Sequence, residues 1–205
     1  MTAKIKLNAA SGGGSISIQA PSSSSNNRVF TLPDVADTTM ATVNGITHAR
    51  TYRVPSNFTL SAASMTVTDW EYADNNSSGT LGSGWGLPSS GVFTFPATGI
   101  YLVKPSTMIK CASGVNQPYM GIELAGTINN SSYVVLSQAL SSQSDDFSGE
   151  RFHNTHCGAI IDCTDTSNVK FKVNVLRDNN YGNIIFIGDS NANVTWVEVT
   201  RLGDT

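Results

Sequence analysis

Apolar and polar residues alternate with a period of two along much of this chain, the spacing of a strand that turns one face to a core and the other to water. The clearest run is Val169-Lys170-Phe171-Lys172-Val173-Asn174-Val175, which puts Val169, Phe171, Val173 and Val175 on one buried face and the lysines and Asn174 on the other. The same reading predicts strands over residues 51–53, 59–60, 65–70, 91–95, 99–110, 119–124, 133–139, 157–162, 169–176, 183–188 and 194–202, with Asn, Asp, Gly or Ser at most of the joints. Many short strands joined in this way predict an all-β sandwich or barrel and not a parallel α/β sheet. In the last strand, Trp196 and Glu198 share one face and Val197 and Val199 the other, as in a strand that closes a sheet. Ser, Thr, Asn and Gly favour turns and strand surfaces, so helix is the losing choice almost everywhere.

Residues 1–45 follow a different pattern. Short alternating runs at 4–7, 15–18 and 28–32 are separated by Gly12-Gly13-Gly14 and by Pro21 with its serine run. An isolated ribbon of such strands is marginal in water, so the segment needs burial from another chain: copies around a three-fold axis, or a docking surface on a larger particle. A flexible linker is the alternative that Ser/Gly content also fits. We therefore divide the chain into an attachment or trimerisation segment, 1–45, and a head, 46–205. The string from Gly12 to Pro21, followed by Arg28-Val-Phe-Thr-Leu-Pro-Asp34 and Asp37-Thr-Thr-Met-Ala-Thr42, resembles a module of tailed-bacteriophage tail-fibre and related virion proteins. There it often precedes or links trimeric modules.

Composition narrows the partners. At 205 residues and 40% hydrophobic content the chain can bury one good-sized core. Only 13% of residues are charged and the formal net charge is -3, which leaves no basic stripe to displace counterions from a nucleic-acid backbone. The start Met1-Thr-Ala-Lys-Ile-Lys-Leu-Asn8 lacks an apolar core of signal-peptide length, and no apolar run reaches membrane-spanning length, so no membrane insertion is expected. Cys111, Cys157 and Cys163 are an odd set, expected as buried thiols in a chain made in a reducing cytoplasm. The Asn-x-Ser/Thr triplets at Asn57, Asn76 and Asn193 follow from the composition, and no glycan is read from them.

The most specific local signal is Gly91-Val-Phe93-Thr-Phe95-Pro96-Ala-Thr-Gly99-Ile-Tyr101, in which Pro presets a turn and Gly99 can take a positive φ. Its spacing resembles the C1q/tumour-necrosis-factor-like jelly roll. Gly158-Ala-Ile-Ile-Asp162, then Asp165-Thr-Ser-Asn168-Val-Lys-Phe171, is similar to that family's strand, turn and strand, with Asn168 where Asp is commoner, and Trp196 to Leu202 resembles the closing strand of phage proteins of this type. The resemblance implies an antiparallel jelly-roll sandwich behind a short extended β-rich N-terminal segment. It also implies a homotrimer with an axis lined by apolar and aromatic side chains. Phe93, Phe95, Tyr101, Phe171, Val173 and Trp196 are the expected core and trimer-packing residues.

Chemistry is sparse. His153, His156, Cys157 and Cys163 carry zinc-ligand side chains, but on an extended strand the two histidines face opposite ways and the cysteines lie about 20 Å apart. Asp145, Asp146 and Glu150, and the turn residues Asp74, Asp178 and Asp189, could offer oxygens to Ca²⁺, yet match no EF-hand and suit local turn bonding. Nothing in the acidic spacing commits to glycoside cleavage, and Gly-x-Ser-x-Gly is absent. No cofactor, metal or catalytic set is assigned. The stretch from Trp70 to Trp85 mixes aromatics with flexible polar residues, so Trp70, Tyr72 and Trp85 form one candidate binding surface and Tyr181 another; for Trp70 and Trp85, each taken separately, core is the favoured reading, because large aromatics are usually well buried. The functional expectation is a structural, non-enzymatic virion protein of a tailed phage. In the leading version a trimeric fibre or spike binds a host-surface glycan or protein through its head and other virion proteins through its N-terminal segment. A capsid decoration or connector protein is the alternative, and a sugar-cleaving tailspike ranks last.

Overall fold

The computed structural model describes residues 4–8, 11, 13, 15–19, 46–75, 79–144 and 148–205, and the chain divides into two compact units, 1–42 and 43–205. In the first, β1 (Lys4–Asn8) and β2 (Ser15–Gln19) form an antiparallel pair, with Lys4 opposite Gln19 and Asn8 opposite Ser15. The two runs expected there are strands, and they pair with each other. The run at 28–32 lies outside the described residues.

The second unit contains β3 (Ala49–Arg53), β4 (Phe58–Leu60), β5 (Ser64–Thr66), β6 (Glu71–Tyr72), β7 (Val92–Thr94), β8 (Gly99–Cys111), β9 (Gln117–Thr127) and β10 (Val134–Gln143). It continues with β11 (Arg151–His156), β12 (Ala159–Cys163), β13 (Lys170–Arg177), β14 (Ile184–Phe186) and β15 (Trp196–Gly203). There is no helix among the described residues, and so none long and apolar enough to cross a membrane. All strand pairs are antiparallel. One sheet runs β10-β9-β13, with β5 and β7 both on the far side of β13. In the other, β8 is central: β12 and β11 lie end to end along one side, β15 and β14 along the opposite side, and β3, β4 and β6 extend the sheet outward.

The core between the sheets follows the period-two pattern. On β8 every odd residue from Gly99 to Cys111 is buried and every even one is half-exposed; on β13 Phe171, Val173 and Val175 are buried and Lys170, Lys172 and Asn174 are not. The Phe93–Tyr101 motif supplies the aromatic centre. Phe93 stacks on Phe171 at 4.6 Å between ring centroids and 5° between planes, Phe95 packs on Tyr101 at 4.5 Å, and the Tyr101 hydroxyl donates to the Ala97 carbonyl at 2.9 Å. The turn does not join neighbours in one sheet, because β7 pairs with β13 and β8 lies in the opposite sheet; it carries the chain across the sandwich. Gly99 has φ +148°, and a Cβ there would run into the Arg201 guanidinium and come within 2.7 Å of the Gly203 carbonyl oxygen.

Two expectations change. Trp70 ends no strand; it is 5% exposed, its Nε1 donates to the Val67 carbonyl at 2.8 Å, and it packs edge-on against Phe93, so it belongs to the core and not to a binding surface. Trp196 stands opposite Arg53 and Ser106 on the outer face of the β8 sheet, whereas Val197 and Val199 fill the core, so it is not an inter-sheet packing residue. Sequence periodicity also passes over β11, because Arg151-Phe-His-Asn-Thr-His carries polar residues on both faces, as an edge strand tolerates.

Candidate functional site

Beside Pro105 the ladder between β8 and the β11–β12 side is incomplete. Residue 157 lies opposite Pro105, whose carbonyl accepts from the Cys157 N–H at 3.2 Å but whose ring nitrogen has no hydrogen to return. The missing donor coincides with the break between β11 and β12 and leaves the β15 side intact.

An exposed apolar surface lies along that open side of the sandwich, where β12 of one sheet faces β9 and β10 of the other. Ile128 is 82% exposed, Ile160 66% and Val134 61%, with Val135, Leu136 and Leu140 also exposed. A groove of about 480 Å³ runs between them, lined by Ile128, Val134, Leu136, Ile160, Ile161 and Val169, with Thr127, Asn129, Ser132 and Asp162 as its polar contribution. The outer face of the β8 sheet continues it at Ile100 and at Leu102, directly opposite Ile160; beyond them the Lys104–Glu198 ion pair at 3.2 Å separates this patch from the half-exposed Met108 and Trp196. No Asp, Glu, Lys or Arg occurs between Leu124 and Ser144. A long edge strand in a monomer is ordinarily protected by charge, proline or cover; β10 carries neither charge nor proline. The sequence signal for this surface is that uncharged stretch together with Val134-Val135-Leu136, where alternation stops.

Farther along the same side the two edges are clipped together. His153 on β11 reaches β10, with Nδ1 3.1 Å from the Ser141 hydroxyl and Nε2 3.1 Å from Gln143 Oε1. The Gln143 amide nitrogen is turned to the Val115 and Ala112 carbonyls, so its oxygen must accept, which assigns the hydrogen of neutral His153 to Nε2. Burial and the neighbouring Arg151 hold the His153 pKa below its ordinary value.

The remaining expected site residues disperse. His156 is exposed on the outer face, away from His153. Burial pushes the Cys111 and Cys163 thiols up to about 11 and raises Cys157 as well, so all three are poor nucleophiles near neutral pH. Asp74 accepts from buried Arg53 at 3.2 Å beside Glu71 at 2.6 Å, while Asp178 and Asp189 cap the N–H groups of Asn180 and Asn191. Glu150 pairs with Lys110 at 2.9 Å, and Asp145 and Asp146 lie outside the described residues. Among the described residues no three His, Cys, Asp or Glu side chains gather as a metal site would require. Tyr72 and Trp85 tether their own loop: the Tyr72 hydroxyl donates to the Trp85 carbonyl, and Trp85 Nε1 donates to the Leu81 carbonyl. Arg50 covers the Tyr72 ring at 3.8 Å. Tyr181 alone of the four proposed binding residues is exposed.

Two facing antiparallel sheets with these crossings have clear counterparts among solved structures. Murine APRIL at pH 5.0 superimposes with a TM-score of 0.51 at 13% identity, covering 76% of this chain and 99% of that one. Eiger TNF from S. frugiperda does so with a TM-score of 0.55 at 14% identity, covering 77% and 93%. The head is a TNF-like jelly roll. At such identity the likeness shows the fold alone. No protein-family model matches the chain, and no curated protein matches it in sequence.

Proposed function

We propose that this chain is a structural, non-enzymatic protein of a tailed-phage virion, whose TNF-like head assembles as a homotrimer and binds the host surface while residues 1–45 attach it to other virion proteins. The observation that carries the assembly half is the apolar side built by Ile128, Val134, Leu136 and Ile160, continuous with Leu102 on the outer sheet face. Burying such side chains against further copies contributes about 25 cal/mol per Å² of apolar surface. Three copies would also multiply a weak single-site affinity for a surface displaying many receptors. The phage half is supported by the tail-fibre-like string from Gly12 to Thr42.

Light scattering on the full-length chain tests assembly: a mass of three chains is expected, and a monomer overturns it. Immunogold labelling of purified virions tests the location. Label on tail fibres or spikes with adsorption of the protein to host cells is the expected result. Label on capsids, retained on tailless particles, establishes the second reading, a decoration or connector protein; release of reducing sugar from host polysaccharide would establish a tailspike enzyme.

A further inference from the structure

The strand register gives the head two ends. At one, Ala49 lies opposite Thr200, and Gly99 opposite Cys163, so the chain enters and leaves the head there. At the other, Cys111 lies opposite Arg151, Gln117 opposite Gln143, and Arg177 opposite Met120. Three of the connections at this far end, 61–63, 112–116 and 178–183, are rich in Ser, Ala, Asn and Gly, a composition that by itself would leave them loose; the fourth, 144–150, carries Asp145, Asp146 and Glu150.

They are held from beneath by buried polar side chains. Arg177, 3% exposed, donates to the carbonyls of Asp178 (3.0 Å), Tyr181 (2.6 Å), Gly182 (3.3 Å) and Ser61 (2.6 Å), and to Asn179 Oδ1 (3.1 Å). None of these acceptors is a carboxylate. Gln117, fully buried, donates to the same Gly182 carbonyl at 2.5 Å, and buried Gln143 donates to the Val115 carbonyl at 2.9 Å. The Val115 side chain packs against Gly182, where a Cβ would meet both its γ carbons at 3.3 Å. Burying a guanidinium without a counter-charge is costly, and three buried polar groups spent on one set of surface connections exceed what a solvent-facing turn requires. Such bracing is what a binding surface needs, because loops ordered in advance lose little freedom on association.

The braced surface presents Tyr119 and Tyr181, 39% and 40% exposed, on segments joined by the bond from the Asp178 N–H to the Tyr119 carbonyl at 3.0 Å. Asn179 and Asn180 stand beside them. Arg177 is buried and Lys110 is engaged by Glu150; Arg151, opposite Cys111, is an exposed cation of this end, and the salt dependence measured below separates its contribution from that of the tyrosines and amides. Tyr119 and Ile128 are nine residues apart on and just beyond β9, about 30 Å at strand rise, so the tyrosine end lies away from the groove beside Ile128, while Leu140, opposite Gly121, reaches nearer to it. We propose that the far end of the head is a binding surface for a neutral saccharide, with Tyr119 and Tyr181 as stacking faces, Asn179 and Asn180 as hydrogen-bonding amides, and Arg177 positioning the loop. This rests on the host-surface reading above and names its contact.

The test is adsorption of the full-length protein to a panel of bacterial strains, repeated on each bound strain after periodate, which cleaves sugar vicinal diols, or after proteinase. Periodate is expected to abolish adsorption and proteinase to leave it, and adsorption should persist in about 0.5 M salt. Y119A and Y181A should each weaken it about fivefold or more at unchanged melting temperature, while Y119F and Y181F stay within about twofold. Sensitivity to proteinase alone, loss at high salt, or indifference to both alanine variants overturns the neutral-saccharide surface and leaves host binding standing. Adsorption to no strain overturns both.

Discussion

Phe171 touches both Phe93 and Phe95, at 4.6 and 5.5 Å between ring centroids, so its removal opens a hole that rigid aromatic neighbours cannot fill. Phe171→Ala should therefore cost about 3–5 kcal/mol in denaturant unfolding. Gly99→Val meets a different obstacle: φ +148° disfavours an L residue, and the new side chain would displace Arg201, which otherwise donates to the Thr98 carbonyl at 3.0 Å and reaches Asp204. A loss of at least about 1 kcal/mol is expected by thermal unfolding. His153 makes stability depend on pH. Its folded pKa lies below the ordinary 6.5, so the folded state binds a proton less readily than the unfolded state. The contribution is fully present above pH 6.5 and is lost as pH falls from there through the lowered folded value. Unfolding midpoints measured from pH 7.5 downward should show this decline in the wild type and a shallower one in His153→Gln.

Among the strands, β8 and β13 were legible because each buries one face against the other sheet, which imposes strict alternation on the sequence. β11 was not, since it pairs only with β8 and its outer face carries Phe152, Asn154 and His156 without a rule that water or core would enforce. β10 lies between these cases. Its inward residues Ser137, Ala139 and Ser141 are small, while Val134, Val135, Leu136 and Leu140 are exposed, the reverse of what a monomeric edge strand shows. Ile160→Lys adds a charge at the centre of this surface, opposite Leu102, at a position exposed enough that the protomer fold should lose no more than about 0.5 kcal/mol. The expected outcome is dissociation to monomers in light scattering with a β-rich circular dichroism spectrum retained; an unchanged mass would remove this side from the assembly interface.

For the whole molecule, the head holds a core spanning both sheets that is built from residues between Tyr52 and Val199. A chain beginning at Val43 should fold and keep the stoichiometry of the full-length protein, as measured by light scattering. A change to monomers on truncation would move the trimerisation role to the N-terminal segment. The candidate surfaces belong to this scale as well. The far-end surface joins residues from β9, β13 and three connections, and the apolar side joins β9, β10 and β12, so neither forms a contiguous motif in the chain.

Local patterning was enough to establish that the chain is all-β, which residues of β8 and β13 face the core, and that Phe93, Phe95 and Tyr101 flank a distinctive turn, because burial on one face and turn stereochemistry act over a few neighbouring residues. Long-range packing alone puts Trp70 in the core and Trp196 on the outer face, makes His153 a clip between two edges, and sets Arg177 beneath a surface loop. Those outcomes depend on which strands become neighbours and which strand edges stay open, and contacts between residues as distant as Ser61 and Arg177 leave no periodic trace along the chain.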